Sequence, residues 1–175
     1  MSSLNAKQRS EGVLCASAGN HAQGLAQAAK LMGVKATIVM PVTTPEIKVA
    51  SVRARGAKVV LFGDTFNDAL SHALALEKQR NLHFIHPFDD PEIIAGQGTV
   101  AMEIVHQHSA KIDAVFVPVG GGGLIAGIAA YIKTVRPETQ VIGVEYEESA
   151  SLAAAMAAGR RVKLKQVGIF ADGIA

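Results

Sequence analysis

Short apolar runs alternate along the chain with longer stretches whose apolar residues recur every three or four positions, a rhythm that predicts strands and helices in turn. Residues 12–16 (GVLCA) read as a strand. They lead through Ser17, Ala18, Gly19, Asn20 and His21 into a helical pattern at Ala22, Leu25, Ala26, Ala29 and Leu31, closed by Gly33. Residues 36–40 form the next strand, stopped by Pro41, after which Thr44 is predicted to cap a helix whose first residue is Pro45 and which Gly56 ends. A third strand at 59–62 precedes a helix at 66–79, with apolar positions Phe66, Ala69, Leu70, Ala73 and Leu76. Residues 83–85 are a brief fourth strand, and residues 1–11 ahead of the first are polar and helix-compatible.

The second half repeats the rhythm less completely. After the turn-rich Pro87-Phe88-Asp89-Asp90-Pro91 come residues 93–98 and a helix to about His108. A strand from Asp113 to Val119 then meets four glycines, Gly120, Gly121, Gly122 and Gly123, and a helical pattern from Leu124 to Lys133. Residues 141–145 are a strand, 149–158 an Ala-rich helix, and Gly159 stops it. The predicted class is α/β, with right-handed crossovers building parallel-sheet lobes of three layers. Residues 1–88 make a small lobe and residues 89–175 part of a larger one, because a parallel sheet of two strands is not self-sufficient.

Chemistry concentrates at two strand-to-helix turns. The four glycines allow close backbone approach and positive φ, and the following helix presents free N–H groups, which together make a phosphate cradle. A tight turn that needs only space is the alternative. Ser17, Gly19, Asn20 and His21 bring a hydroxyl, a flexible backbone, a carboxamide and helix-terminal amides to one turn, suited to a small carboxylate or phenolate. Helix capping by Ser17 or Asn20, and a surface or capping role for His21, remain open. Gly121-x-Gly123-x-x-Ala126 with Glu145 on the next strand also satisfies the loose dinucleotide fingerprint.

Composition narrows the partners. Seventeen basic and fifteen acidic residues give a formal charge of +2, and the cations are scattered, so no nucleic-acid partner is expected. One cysteine, Cys15, excludes an internal disulfide and fits a reducing compartment. No apolar run reaches a membrane span and residues 1–9 do not resemble a signal peptide, so the expected location is cytoplasmic, without a membrane partner. His83-x-x-His86 and His106-x-His108 lack the partners of a metal site, and no metal is expected.

The segments SAGNHAQG (17–24), PFDDPEIIAGQGT (87–99), VPVGGGGLIAG (117–127), VIGVE (141–145) and GIFADG (168–173) resemble, in order, those of pyridoxal 5′-phosphate enzymes of the tryptophan-synthase-β type, and within them the threonine dehydratases (threonine ammonia-lyases). The last segment is more similar to the biosynthetic, isoleucine-pathway form. The resemblance implies that backbone amides of Gly120, Gly121, Gly122, Gly123 and Leu124 bind the cofactor phosphate and that Asn20 meets the pyridoxal 3′-hydroxyl. It implies that Ser17, Gly19 and His21 line the substrate carboxylate pocket beside Asn20, and that residues 168–173 pass near the cofactor ring. The implied reaction is β-elimination of threonine to 2-oxobutanoate and ammonia by a homo-oligomer.

Two features depart from the family pattern. The Schiff-base lysine belongs to a Ser-Phe-Lys-type motif that these residues do not contain; Lys7 is the nearest candidate and lies in the wrong sequence context. Related racemases hold a divalent cation near the position of Glu145, but the companion positions here are Ser149 and Ser151. The expectation is an internal fragment of a threonine dehydratase, inactive alone. A non-catalytic fragment that associates with full-length subunits and a dinucleotide-binding Rossmann-like domain are the alternatives.

Overall fold

The computed structural model describes residues 1–168, 170, 171 and 173. The chain divides into two compact units, Met1–Pro87 and Phe88–Ala175.

In the first unit, helix α1 (Ala6–Glu11) leads into strand β1 (Val13–Ala16), helix α2 (Asn20–Met32), strand β2 (Ala36–Met40), helix α3 (Glu46–Arg53), strand β3 (Lys58–Leu61), helix α4 (Phe66–Arg80) and strand β4 (His83–Phe84). The four strands are parallel in the order β3-β2-β1-β4. Every residue of the central strands β1 and β2 is buried, whereas β3 at the edge is only half-buried. Alternation divides the core. Leu14, Ala16 and Val39 pack on Ala69, Ala73 and Leu76 of α4, and Cys15, Ile38 and Met40 point to the other face, where α2 packs. Burying side chains such as Leu14, Ile38 and Met40 contributes roughly 1.5–3 kcal/mol each.

The structure differs from the sequence pattern at several helix positions. Leu31, two residues past the buried Ala29, falls on the opposite side of α2 from Ala22 and Ala29 and is 77% exposed, and Phe66, the first residue of α4, is 43% exposed. Pro45 is the residue that caps α3 rather than its first helical residue, and the Thr44 hydroxyl is buried with no hydrogen-bond partner among the described residues instead of capping the helix.

In the second unit, helix α5 (Pro91–Gln107) precedes strand β5 (Ala114–Pro118), helix α6 (Gly123–Val135), strand β6 (Gln140–Val144), a 3₁₀ turn at Glu147–Ser149 and helix α7 (Ser151–Ala158). Strands β5 and β6 pair in parallel, Phe116 opposite Ile142. Val117 joins Ala101, Ile128 and Ile132 in a core between this sheet and α5 and α6, while Phe116 on the opposite face is 68% exposed. Residues 93–98, read in the sequence as preceding the helix, lie inside a continuous α5. The 149–158 helix begins two residues later, behind the 3₁₀ turn.

Candidate functional site

Parallel strands carry their ligand-binding turns at their carboxyl ends, and β1 ends on the Ser17–His21 turn. The Ser17 N–H donates to the Val39 carbonyl (3.1 Å), tying the turn to β2. Its hydroxyl accepts from the Gly19 N–H (3.2 Å), which engages one lone pair and leaves the hydroxyl proton to donate elsewhere. Gly19 is the cap residue of α2 and makes no side-chain cap bond. The first bond of this helix at its amino end runs from the Gln23 N–H to the Gly19 carbonyl, at 3.4 Å, so the amides of Asn20, His21 and Ala22 have no acceptor within it. Asn20 is exposed and its side chain makes no hydrogen bond among the described residues, so neither Ser17 nor Asn20 caps the helix. The His21 ring is half-buried, with Nε2 3.2 Å from the Ile85 carbonyl. Burial holds this imidazole below the ordinary range and the nearby His86 adds to that, against the pull of the carbonyl.

The glycine turn of the second unit is built differently. Gly122 caps α6 in the left-handed region, φ +88°, with open space where a Cβ would stand. Of the four glycines it alone has positive φ. Gly121 and Gly123 are glycines for another reason: a Cβ at 121 would enter the Phe88 ring, and one at 123 would stand 2.7 Å from the Phe88 carbonyl oxygen. The tight-turn explanation thus accounts for two positions and the left-handed cap for a third. The Ala126 N–H closes the first helical bond on the Gly122 carbonyl (3.0 Å), which leaves the amides of Gly123, Leu124 and Ile125 without acceptors inside α6. Several convergent N–H donors at a positive helix end, with no acidic residue between 117 and 127, fit a phosphoryl group.

Four other helix starts are satisfied by side chains, whereas α3, capped by Pro45, has no side-chain cap bond. Asn5, Thr65 and Asp90 cap α1, α4 and α5. Glu145 caps α7 from a distance, its two carboxylate oxygens accepting from the Leu152 and Ala153 amides at 2.8 and 2.9 Å. That commitment occupies the acid which the dinucleotide fingerprint reserves for a ribose. Lys7 lies on α1, at the opposite end of the sheet from Ser17, exposed and 3.8 Å from Glu11. Within 168–173, Ile169 and Asp172 lie outside the described residues; Gly168 is held by the Ser149 hydroxyl, which donates to its carbonyl at 3.0 Å. Sequence reasoning missed Phe88 as the support of the glycine turn and Ile85 as the partner of His21, since neither contact has a local signature.

The family model of the pyridoxal-phosphate dependent enzymes matches residues 1–175. The chain is 56% identical over 178 aligned residues to the L-threonine dehydratase biosynthetic IlvA of Burkholderia multivorans, covering 100% of this chain and 35% of that protein. It is also 56% identical to the chloroplastic biosynthetic threonine dehydratase of Arabidopsis thaliana, covering 100% of this chain and 30% of the other. Among solved structures, the processed form of threonine deaminase isoform 2 from Solanum lycopersicum superposes with a TM-score of 0.94 at 52% identity, over 99% of this chain and 50% of that one. Maize serine racemase superposes with a TM-score of 0.91 at 34% identity, over 98% and 52%. The chain therefore spans about a third of the length of the curated relatives it matches.

Proposed function

This chain belongs to the pyridoxal-phosphate dependent enzyme family, and from that premise we propose that it is part of a threonine dehydratase that deaminates L-threonine to 2-oxobutanoate and ammonia in isoleucine biosynthesis. The observation that carries the reading is the pair of glycine-capped helices: α2 and α6 begin without a capping side chain, and their first amides are left to take anions.

The amides of Gly120 to Gly123 and Leu124 hold the phosphate, and Asn20 hydrogen-bonds the 3′-hydroxyl through a carboxamide that no described residue engages. The Ser17 hydroxyl and the Gly19 and His21 backbone orient a substrate carboxylate. Bound pyridoxal phosphate would supply an electron sink for the pair left at Cα when its proton departs, and so a route for expelling the β-hydroxyl. Proton transfer at Cα calls for a lysine, and the Ser-Phe-Lys-type motif that carries it in the family is not among these 175 residues. The resemblance supports a homo-oligomeric working form, and the single cysteine fits a reducing, cytoplasmic location. The engaged Glu145 carboxylate favours this reading over a dinucleotide.

Titration of the protein with pyridoxal phosphate, inorganic phosphate and NAD tests the proposal. Pyridoxal phosphate is expected to bind reversibly, to be displaced by inorganic phosphate, and to leave no borohydride-fixed adduct at a single lysine. NAD binding that pyridoxal phosphate does not compete with would refute it. Incubation with threonine is expected to yield no 2-oxobutanoate from these residues alone.

A further inference from the structure

Gly19 is a glycine without a steric reason to be one. Its φ is −118°, outside the left-handed region, and a Cβ built on it would meet nothing within 4 Å. What glycine omits at this position is an oxygen. A Ser, Thr, Asp or Asn here would fix the entry into α2 but would also take the amide of its second or third residue, as Asn5 and Thr65 do in α1 and α4. A helix start that must offer its amides to a ligand needs its entry fixed by some other means.

The anchor is the ring of the second helical residue. We propose that His21 is a positioning residue: by donating from Nε2 to the Ile85 carbonyl it holds the first turn of α2 in place of a capping side chain and leaves that turn's amides open for an anion. The inference rests on the functional reading above and deepens it at the Ser17–Asn20 turn.

Three connections make the anchor firm. The Ile85 N–H donates to the Leu14 carbonyl (2.8 Å), so the carbonyl that His21 uses belongs to a segment already tied to β1. The Ser17 N–H is tied to β2 and the Ser17 hydroxyl to Gly19, which pins the turn on its strand side. His21 pins it on the helix side, and Asn20 lies between the two. Because the acceptor is a carbonyl, the proton must reside on Nε2. Burial and His86, the titratable group that acts on this ring, keep the ring in its neutral form at neutral pH.

The test uses the full 175-residue chain and two variants, His21→Gln, whose amide N–H can reach the same carbonyl, and His21→Leu. Proton-nitrogen correlation spectra of the imidazole are expected to show the Nε2–H tautomer. In His21→Leu, affinity for pyridoxal phosphate should fall about tenfold, as loss of one buried hydrogen bond implies, while affinity for inorganic phosphate, a probe of the glycine turn, is retained. His21→Gln should restore most of the loss. The Leu variant binding pyridoxal phosphate like the parent, or an Nδ1–H tautomer, overturns the proposal. If the parent chain binds no pyridoxal phosphate, the functional reading fails and the anchor is judged on its own. Backbone amide resonances of Ser17 to Ala22 should then shift in the Leu variant but not in the Gln variant, and unchanged resonances refute it.

Discussion

Gly98 of α5 and Gly127 of α6 meet backbone to backbone. A Cβ on Gly127 would stand 2.6 Å from the Gly98 nitrogen and closer still to the Ile94 carbonyl oxygen, and a Cβ on Gly98 would stand 3.2 Å from the Gly127 carbonyl oxygen. The two helices approach this closely only because neither carries a side chain at the crossing. Gly127→Ala is therefore expected to destabilise the second unit by about 1–3 kcal/mol through overpacking, and Gly98→Ala by less. Urea unfolding monitored by circular dichroism measures both, and equal midpoints for Gly127→Ala and the parent would contradict the crossing.

Gly122 tests a different cost. Its left-handed φ of +88° penalises any side chain, although the space beside it is open. Gly122→Ala should cost about 1–2 kcal/mol from backbone conformation and should weaken inorganic phosphate binding by altering the α6 entry. A variant that unfolds at the parent's urea concentration and binds phosphate equally well would show that the cap geometry is not needed.

Glu145 supplies the cap of α7 with two charge-assisted bonds. Glu145→Ala is expected to reduce stability by about 1 kcal/mol, and hydrogen exchange at the Leu152 and Ala153 amides should accelerate while that in α4 stays constant. Protection unchanged at those two amides would remove the capping role.

Cys15 is fully buried in β1, and burial pushes its thiol up to about 12. At pH 8 the native protein should react with a disulfide reagent far more slowly than a free thiol, and fully once denatured. The fold retains the thiol proton that the unfolded chain releases from about pH 9 upward, so stability falls between about pH 9 and about pH 12. Rapid labelling of the native protein at pH 8 would show the strand to be open.

His21 has the opposite sign. Its folded-state affinity for protons is lowered below the usual 6.5, so the unfolded chain takes up the proton first. The stability it contributes is present above pH 6.5 and is lost as pH falls below that value through the folded range. Urea midpoints measured at about pH 7.5 and about pH 5.5 should differ more for the parent than for His21→Gln.

The order of strands and helices was legible in the residues themselves, because β1 and β2 are near-continuous apolar runs, as strands buried on both faces require, and the stripe of α4 carries the period of 3.6 that one-sided burial imposes. So were the Ser-Gly-Asn turn after β1 and the glycine turn after β5, each as a strand-to-helix turn, since each is contiguous in sequence and its residue types state its chemistry. Long-range contacts were not. Only the tertiary structure decided that the glycines at 121 and 123 make room for Phe88, that Gly98 within α5 makes room for Gly127 of α6, that Glu145 faces the α7 amides, and that His21 reaches Ile85. In each case the residue type is local, but its reason is an atom brought near by packing of the fold, which no pattern along the chain records.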